Sequence, residues 1–241
     1  MLHKTRGIAL HSIKYAESSL IVKAYTETFG LQSYILKGIR SQKSKIKPSL
    51  FQPLTLLDLV VYYKEKSSIH PVKEVSLAVP THSTTTDIRK SSIALFLAEL
   101  IYRTIREEEA NASLFDFLWN SIILLDTTDE QVATFHLLFS VKLCRFLGFQ
   151  PQGNRSDERR FFHLQEGSFY PLYSSPDQCL DEDQSRWFSQ LIQTEMNQVA
   201  LLSFPSKVRS DLLDKILLYY RFHLSGFNRI RSREVLHTVL S

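Results

Sequence analysis

Between residues 37 and 47 the chain reads Lys-Gly-Ile-Arg-Ser-Gln-Lys-Ser-Lys-Ile-Lys, in which Lys37, Arg40, Lys43, Lys45 and Lys47 are positive and no residue is acidic. Five uncompensated charges repel one another, and a polyanion relieves that repulsion by neutralising them. Ser44 adds a hydroxyl that can donate to a phosphate oxygen, Gly38 lets the segment adapt, and Tyr34 just before it carries a ring suited to stack on an unpaired base. The chemistry on offer is the grip of a nucleic-acid backbone. A solvated charged loop on a barrel rim has the same composition, and composition does not separate the two readings.

A second basic cluster, Lys215, Arg221, Arg229, Arg231 and Arg233, has no acid between Asp214 and Glu234 and is interleaved with Tyr219, Tyr220, Phe222 and Phe227. Arginines beside aromatic rings suit nucleic acid, or a short acidic and apolar peptide whose carboxylates meet guanidinium groups. The bland alternative is that the rings face a helical core and the arginines favour a helix C-terminus.

Other chemistries lack their residues. The glycines, at 7, 30, 38, 148, 153, 167 and 226, frame no GxxxxGK or GxGxxG phosphate loop, and there is no GxSxG elbow and no HExxH pair. Asp181-Glu182-Asp183 has the charge of a two-metal cluster, yet carboxylates in a first helical turn are favoured by the helix dipole alone. Cys144 and Cys179 allow at most one disulfide and no four-thiolate metal site, which fits a reducing cytoplasm. No signal-peptide pattern follows Met1, and the longest uncharged apolar stretches, such as 131–141, are far shorter than a membrane span of about 18 residues. The expectation is a cytoplasmic protein that is not an enzyme, with no cofactor, no metal and no membrane partner.

The elements that must position these residues follow from hydropathy. With 241 residues, 44% of them hydrophobic, the chain can bury one large core or two modest ones. Residues 1–80 hold 12 basic and 5 acidic side chains and residues 81–241 hold 17 and 20, so a basic front precedes a faintly acidic rear. The front alternates with period two. Gly7 to Ile13, Leu20 to Ala24, Leu31 to Leu36 after the turn signal Phe29-Gly30, Thr55 to Tyr63, and Ile69 to Val75 make about five short strands, enough for a small closed barrel.

From Thr84 the period becomes 3.6. One helix starts at the capping run Thr84 to Asp87 and carries Ile93, Phe96, Leu97, Leu100, Ile101 and Ile105. A second starts near Asn111 to Ser113, and a third is expected from Thr128, with Gln131 at capping-box spacing, to Leu147. Residues 148–180, rich in glycine and proline, form an irregular insert with two short strand-like runs, Phe161 to Leu164 and Ser168 to Leu172. Helices resume at 181–193, from Pro205 through Tyr220, and at 232–240. The reading is a two-domain α+β chain: an N-terminal barrel over 1–80, then a helical domain over 81–241 with its insert at about 148–180.

In this order the chain resembles the RecO family of bacterial recombinational repair proteins. The likeness is carried by Gly7-Ile8-Ala9-Leu10, Tyr15 to Val22, Tyr25 to Gly30 and above all Leu36-Lys37-Gly38-Ile39-Arg40 with Lys43-Ser44. It continues through Leu54 to Tyr63, Phe146 to Pro151, Tyr219 to Leu224 and Arg231 to Leu236. It implies an OB-fold barrel and a helical domain that bind single- and double-stranded DNA, anneal complementary strands and, with RecR, help load RecA onto DNA coated with single-strand-binding protein. On that likeness the Lys37 to Lys47 loop grips phosphates. The acidic tail of the single-strand-binding protein is expected at Arg221, Arg229, Arg231 and Arg233. The sequence departs from the family in one respect: where many members place a four-cysteine zinc site, this chain has Asn154 and Asp157, and only Cys179 further on. The insert is therefore expected to be held by Phe161, Phe162, Phe169 and Tyr170 and by hairpin hydrogen bonds.

Overall fold

A computed structural model describes residues 1–39 and 46–240. Strands β1 (Leu2–Tyr15), β2 (Ser19–Thr26), β3 (Gly30–Leu36), β4 (Leu56–Tyr62) and β5 (His70–Leu77) close into a barrel in the order β1-β2-β3-β5-β4. Within the barrel, the described β3–β5 pairing is parallel and the other strand pairings are antiparallel. This five-stranded Greek-key closure is the OB fold, with β3 and β5 joined at Tyr34–His70 and Ile35–Pro71. Its interior is filled by Ala9, Leu20, Val22, Ala24, Tyr34, Leu36, Leu57, Leu59 and Val61. The opposite parity is buried too over part of the wall, as at Tyr25, whose ring stacks on Phe115.

Register fixes what each strand shows. Between Ala9 and His11 the β1–β2 pairing shifts by one residue, a bulge that resets the parity of β1. Beyond it Ser12 pairs with the core residue Val22, so Ile13 and Tyr15 point the other way, alongside Ile21 and Lys23.

Two compact units emerge. One holds Met1–Asp87 with Ala94–Asp126, so the barrel carries most of helix α2 (Ile88–Thr104) and helix α3 (Ala112–Thr127); the other holds Ile88–Ile93 with Thr127–Ser241. The change of hydropathy period near residue 80 and the division by compactness thus fall at different places.

Between barrel and α2 lies the one-turn helix α1 (Ser83–Thr86). The Asp126 carboxylate accepts from the amides of Thr84 (2.8 Å) and His82 (3.2 Å), satisfying donors that a helix start leaves open. The third expected helix begins later than Thr128. Gln131 adopts φ +52°, a 3-10 turn covers Val132–Thr134, and α4 runs Phe135–Phe146. The Thr128 capping box therefore does not form, and Asp129 instead meets the buried Lys90 ammonium at 3.1 Å.

The insert contains a hairpin of β6 (Phe161–His163) and β7 (Ser168–Tyr170). Phe162 and Phe169 are buried, and the Phe162 ring packs against Phe188 and Tyr219. Tyr170 instead faces out, and Phe161 leans on Tyr173. Then follow α5 (Glu182–Gln193), whose Asp181/Gln184 capping box occupies the acidic triplet, α6 (Ser206–His223), with Pro205 one position ahead of its first turn, and α7 (Ser232–Leu240). Among the described residues no helix is long and apolar enough to cross a membrane.

Candidate nucleic-acid interface

The basic loop leaves the barrel at the end of β3. Its described feet are apolar: Ile39 is buried in the barrel core, and Ile46, Leu50 and Phe51 pack against the same core on the return. Burial of Ile39 contributes roughly 2 kcal/mol and that of the partly buried Ile46 less, so both ends of the loop are fastened to the barrel. Just outside each foot stands an exposed cation, Lys37 on one side and Lys47 on the other. Gly38, at φ +71° with open space around it, makes the bend between Lys37 and Ile39. Arg40, Lys43, Ser44 and Lys45 lie outside the described residues.

Tyr34 is not a stacking platform. Its side chain is 1% exposed inside the barrel, and its hydroxyl reaches Thr26 Oγ1 at 3.4 Å. Burial pushes its phenol up to about 12, as expected where a phenolate would have no water. The reason is parity: Tyr34 pairs with Val22 and with His70, both buried.

One barrel cation is spoken for. The Arg6 guanidinium donates to both carboxylate oxygens of Glu27 (2.9 and 2.8 Å) and lies over Phe115 and Trp119, 5.2 and 5.0 Å from their ring centroids. The side-chain hydrogen bond to Glu27 raises Arg6, and the same contact holds Glu27 below its ordinary value. Arg6 thus fastens α3 to the barrel.

The far end of β1 is exposed. Tyr15 pairs with Ser19, next to the Leu20–Leu36 pair with which β3 ends. The next rung on that face is Ile13–Ile21–Ile35, and the one after is His11–Lys23–Ser33. Ile13 is 49% and Tyr15 51% exposed. Sequence reading ended β1 at Ile13 and so missed Tyr15; the alternation of His11, Ile13 and Tyr15 against Ser12 and Lys14 was the available signal.

Among the C-terminal arginines, Arg229 and Arg233 have acidic partners. Arg233 makes a two-pronged pair with Asp214 (2.6 and 2.6 Å), and Arg229 pairs with Glu234. Arg221 is exposed on α6 beside the exposed Phe222, and Arg231 is exposed as well. Tyr219, Tyr220 and Phe227 are buried, as the core reading had it. Near Arg233 the hollow bordered by Arg209, Leu213, Leu236 and Leu240 has about 30 Å³ of room, enough for a water or two and far too little for an aromatic ring.

Two family profiles cover nearly all of the chain: one described as Recombination protein O N terminal matches residues 1–80, and one described as Recombination protein O C terminal matches residues 85–234. Full-length relatives agree. The protein named DNA repair protein RecO of Flavobacterium psychrophilum is 38% identical over 239 residues, 99% of each chain, and that of Christiangramia forsetii is 38% identical over 240 residues, again 99% of each. The Porphyromonas gingivalis protein of the same name is 30% identical over 99% of both chains. With an OB barrel, a helical C-terminal region and matches at these two levels, the chain belongs to the RecO family of DNA repair proteins.

Proposed function

We propose that this chain is a non-enzymatic, cytoplasmic DNA-repair mediator that binds single- and double-stranded DNA and anneals complementary strands. In the same reading it works with a RecR-like protein to load RecA onto DNA coated with single-strand-binding protein. The observation that carries the reading is the basic loop, fastened at both feet by Ile39 and Ile46 to an OB barrel, with Lys37 and Lys47 exposed at its ends. Cations so placed neutralise phosphates on either strand without reading sequence. Annealing needs no more than that neutralisation and a surface that holds bases until they pair, so no nucleotide cofactor enters.

The acidic, apolar tail of the single-strand-binding protein is assigned to Arg221, Arg229, Arg231 and Arg233. Docking there requires Arg229 and Arg233 to exchange Glu234 and Asp214 for carboxylates of the tail.

The test is an anisotropy titration of labelled single- and double-stranded oligonucleotides at several salt concentrations. Five phosphate contacts on a single strand give a slope of log K against log salt of roughly −3.5. The Lys43→Glu, Lys45→Glu, Lys47→Glu variant is expected to lose binding and most of that slope. A flat salt response of the parent, or a triple variant that binds as the parent does, sinks the reading.

A further inference from the structure

We propose that the outer wall of β1, β4 and β5 packs against the same wall of a second copy of this chain, giving a weak two-fold dimer in which Lys4 of each copy meets Glu74 of the other. The wall holds neither the basic loop nor the C-terminal arginines, so the proposal is independent of the DNA-binding reading and of the assignment of the acidic tail.

The wall is built in three rungs. Leu2 pairs with Tyr62; Lys4 pairs with Val60, and Val60 with Glu74; Arg6 pairs with Asp58, and Asp58 with Ser76. These side chains point away from the core, which takes Leu57, Leu59 and Val61 from the alternate positions of β4. Lys4, Asp58 and Glu74 are exposed, as are Leu2 and Tyr62, and a groove of about 580 Å³ is lined by Lys4, Asp58, Val60 and Glu74. Lys4 on β1 and Glu74 on β5 thus stand on opposite sides of Val60, with the exposed apolar rung of Leu2 and Tyr62 next to them. Among the described residues Lys4 has no ion pair, and Glu74 meets its chain neighbour Lys73 at 3.3 Å, an exposed contact of little worth.

A two-fold axis along β4 exchanges the flanks of this wall. β1 of each copy then faces β5 of the other, Lys4 meets the partner's Glu74 twice over, and Val60 and Tyr62 meet their own copies at the centre, as an isologous contact requires. A basic partner repels Lys4 and an acidic one repels Glu74, whereas a second copy offers both signs in the matching order. Asp58 lies on the same axis, faces its own copy and opposes the dimer, because Arg6 beside it is held by Glu27. Three rungs about 7 Å apart on three strands about 5 Å apart make a small patch, so association is weak and depends on concentration. A different protein is the competing occupant.

The test is sedimentation velocity of the full chain from about 1 to about 300 µM, a range that covers transient interfaces. The parent should shift from monomer toward dimer across it, and less so at high salt. Lys4→Glu alone and Glu74→Lys alone should each weaken association about tenfold, because a symmetric interface contains every contact twice. Their mixture should associate as the parent does, since each variant supplies the charge that the other lacks. Asp58→Asn should tighten the dimer and Tyr62→Ala loosen it. These positions are exposed, so the variants are expected to fold, which circular dichroism checks, and rescue in the mixture cannot come from a protein that failed to fold. A parent that stays monomeric to the highest concentration, as a wall reserved for another protein would leave it, overturns the proposal. So does a parent dimer that both charge reversals leave unchanged, or a pair of weakened variants whose mixture stays monomeric.

Discussion

At Gly30 a single side chain decides whether the β2–β3 turn can close. Its φ is +61°, and a Cβ there would come within 2.4 Å of the Glu109 carbonyl oxygen and 3.0 Å of that of Glu107. Both oxygens are backbone, so neither can swing aside, and Leu31 N donates to the Glu107 carbonyl from the next residue. Gly30→Ala is therefore expected to lower stability by about 1–3 kcal/mol, read as a shift of the urea midpoint; a midpoint within error of the parent would show that the segment after α2 yields freely. Tyr34 supplies a second residue-scale prediction. Because its ring fills the barrel and its hydroxyl makes only a long contact to Thr26, Tyr34→Phe should cost under about 1.5 kcal/mol and leave DNA affinity unchanged. A tenfold loss of affinity in that folded variant would return Tyr34 to the interface. The sequence could not decide which way Tyr34 points, for Leu31 and Ile35 on one parity of β3 and Leu36 on the other are all apolar. Strands read by alternation betray their facing only where one side meets water, and β3 is buried on both parities over most of its length.

Element boundaries depend on which groups satisfy open backbone donors, and partners far along the chain are hidden from local pattern. Thr128 and Gln131 have the spacing of a capping box and do not make one, whereas Asp181 and Gln184 do. The difference lies at Gln131, whose left-handed backbone ends any helix begun before it. Asp126 is the complementary case, a carboxylate at the end of α3 that closes the start of α1 some forty residues earlier. Burial works to raise its pKa, and the donors from Thr84, His82 and Ser83 outweigh burial and hold it below its ordinary value. Asp126→Ala should cost about 1 kcal/mol, the usual value of a cap, and Asp126→Asn less, since an amide oxygen still accepts. Hydrogen exchange at the Thr84 amide should accelerate in the alanine variant; unchanged protection there would show that another group caps α1. The five strands, the helical faces and the insert were legible because periodicity is local. The later start of α4 and the run of β1 to Tyr15 were not, because one turns on a single backbone angle and the other on polar residues at a hairpin arm.

At the scale of the whole molecule, each compact unit contains a histidine held neutral by burial, and together they set the acid limit of stability. His70 Nε2 faces the Gln32 side-chain oxygen at 3.2 Å, and its Nδ1 accepts from the Lys64 amide at 3.4 Å, an arrangement that suits only the neutral ring. Burial lowers its pKa. His136, buried on α4 in the other unit, is pushed down to about 3, first by burial and then by the positive charge of Arg209, against the pull of the Ala133 carbonyl. The sign follows from proton counting. Below the ordinary histidine pKa of about 6.5 the unfolded chain binds protons that the folded chain refuses, so stability present above that pH is lost as pH falls, by up to about 1.4 kcal/mol per pH unit for each such group. The lowered carboxyls of Glu27 and Asp126 extend the loss below about pH 4. At the alkaline end burial holds the Cys144 thiol well above its ordinary value and raises Tyr25 and Tyr34 to about 12, so stability falls from about pH 8.5 upward and more steeply from about pH 10. Urea midpoints across pH should therefore trace a plateau between about 6.5 and 8.5 with a flank on either side. In His136→Leu the acid flank between pH 6.5 and 4.5 should lose about one proton's worth of slope, whatever the variant does to absolute stability, when read from Trp187, which packs on Phe204 in the same unit as His136. An acid flank parallel to that of the parent would mean that His136 takes its proton in the folded state, and the burial argument would then fail for it.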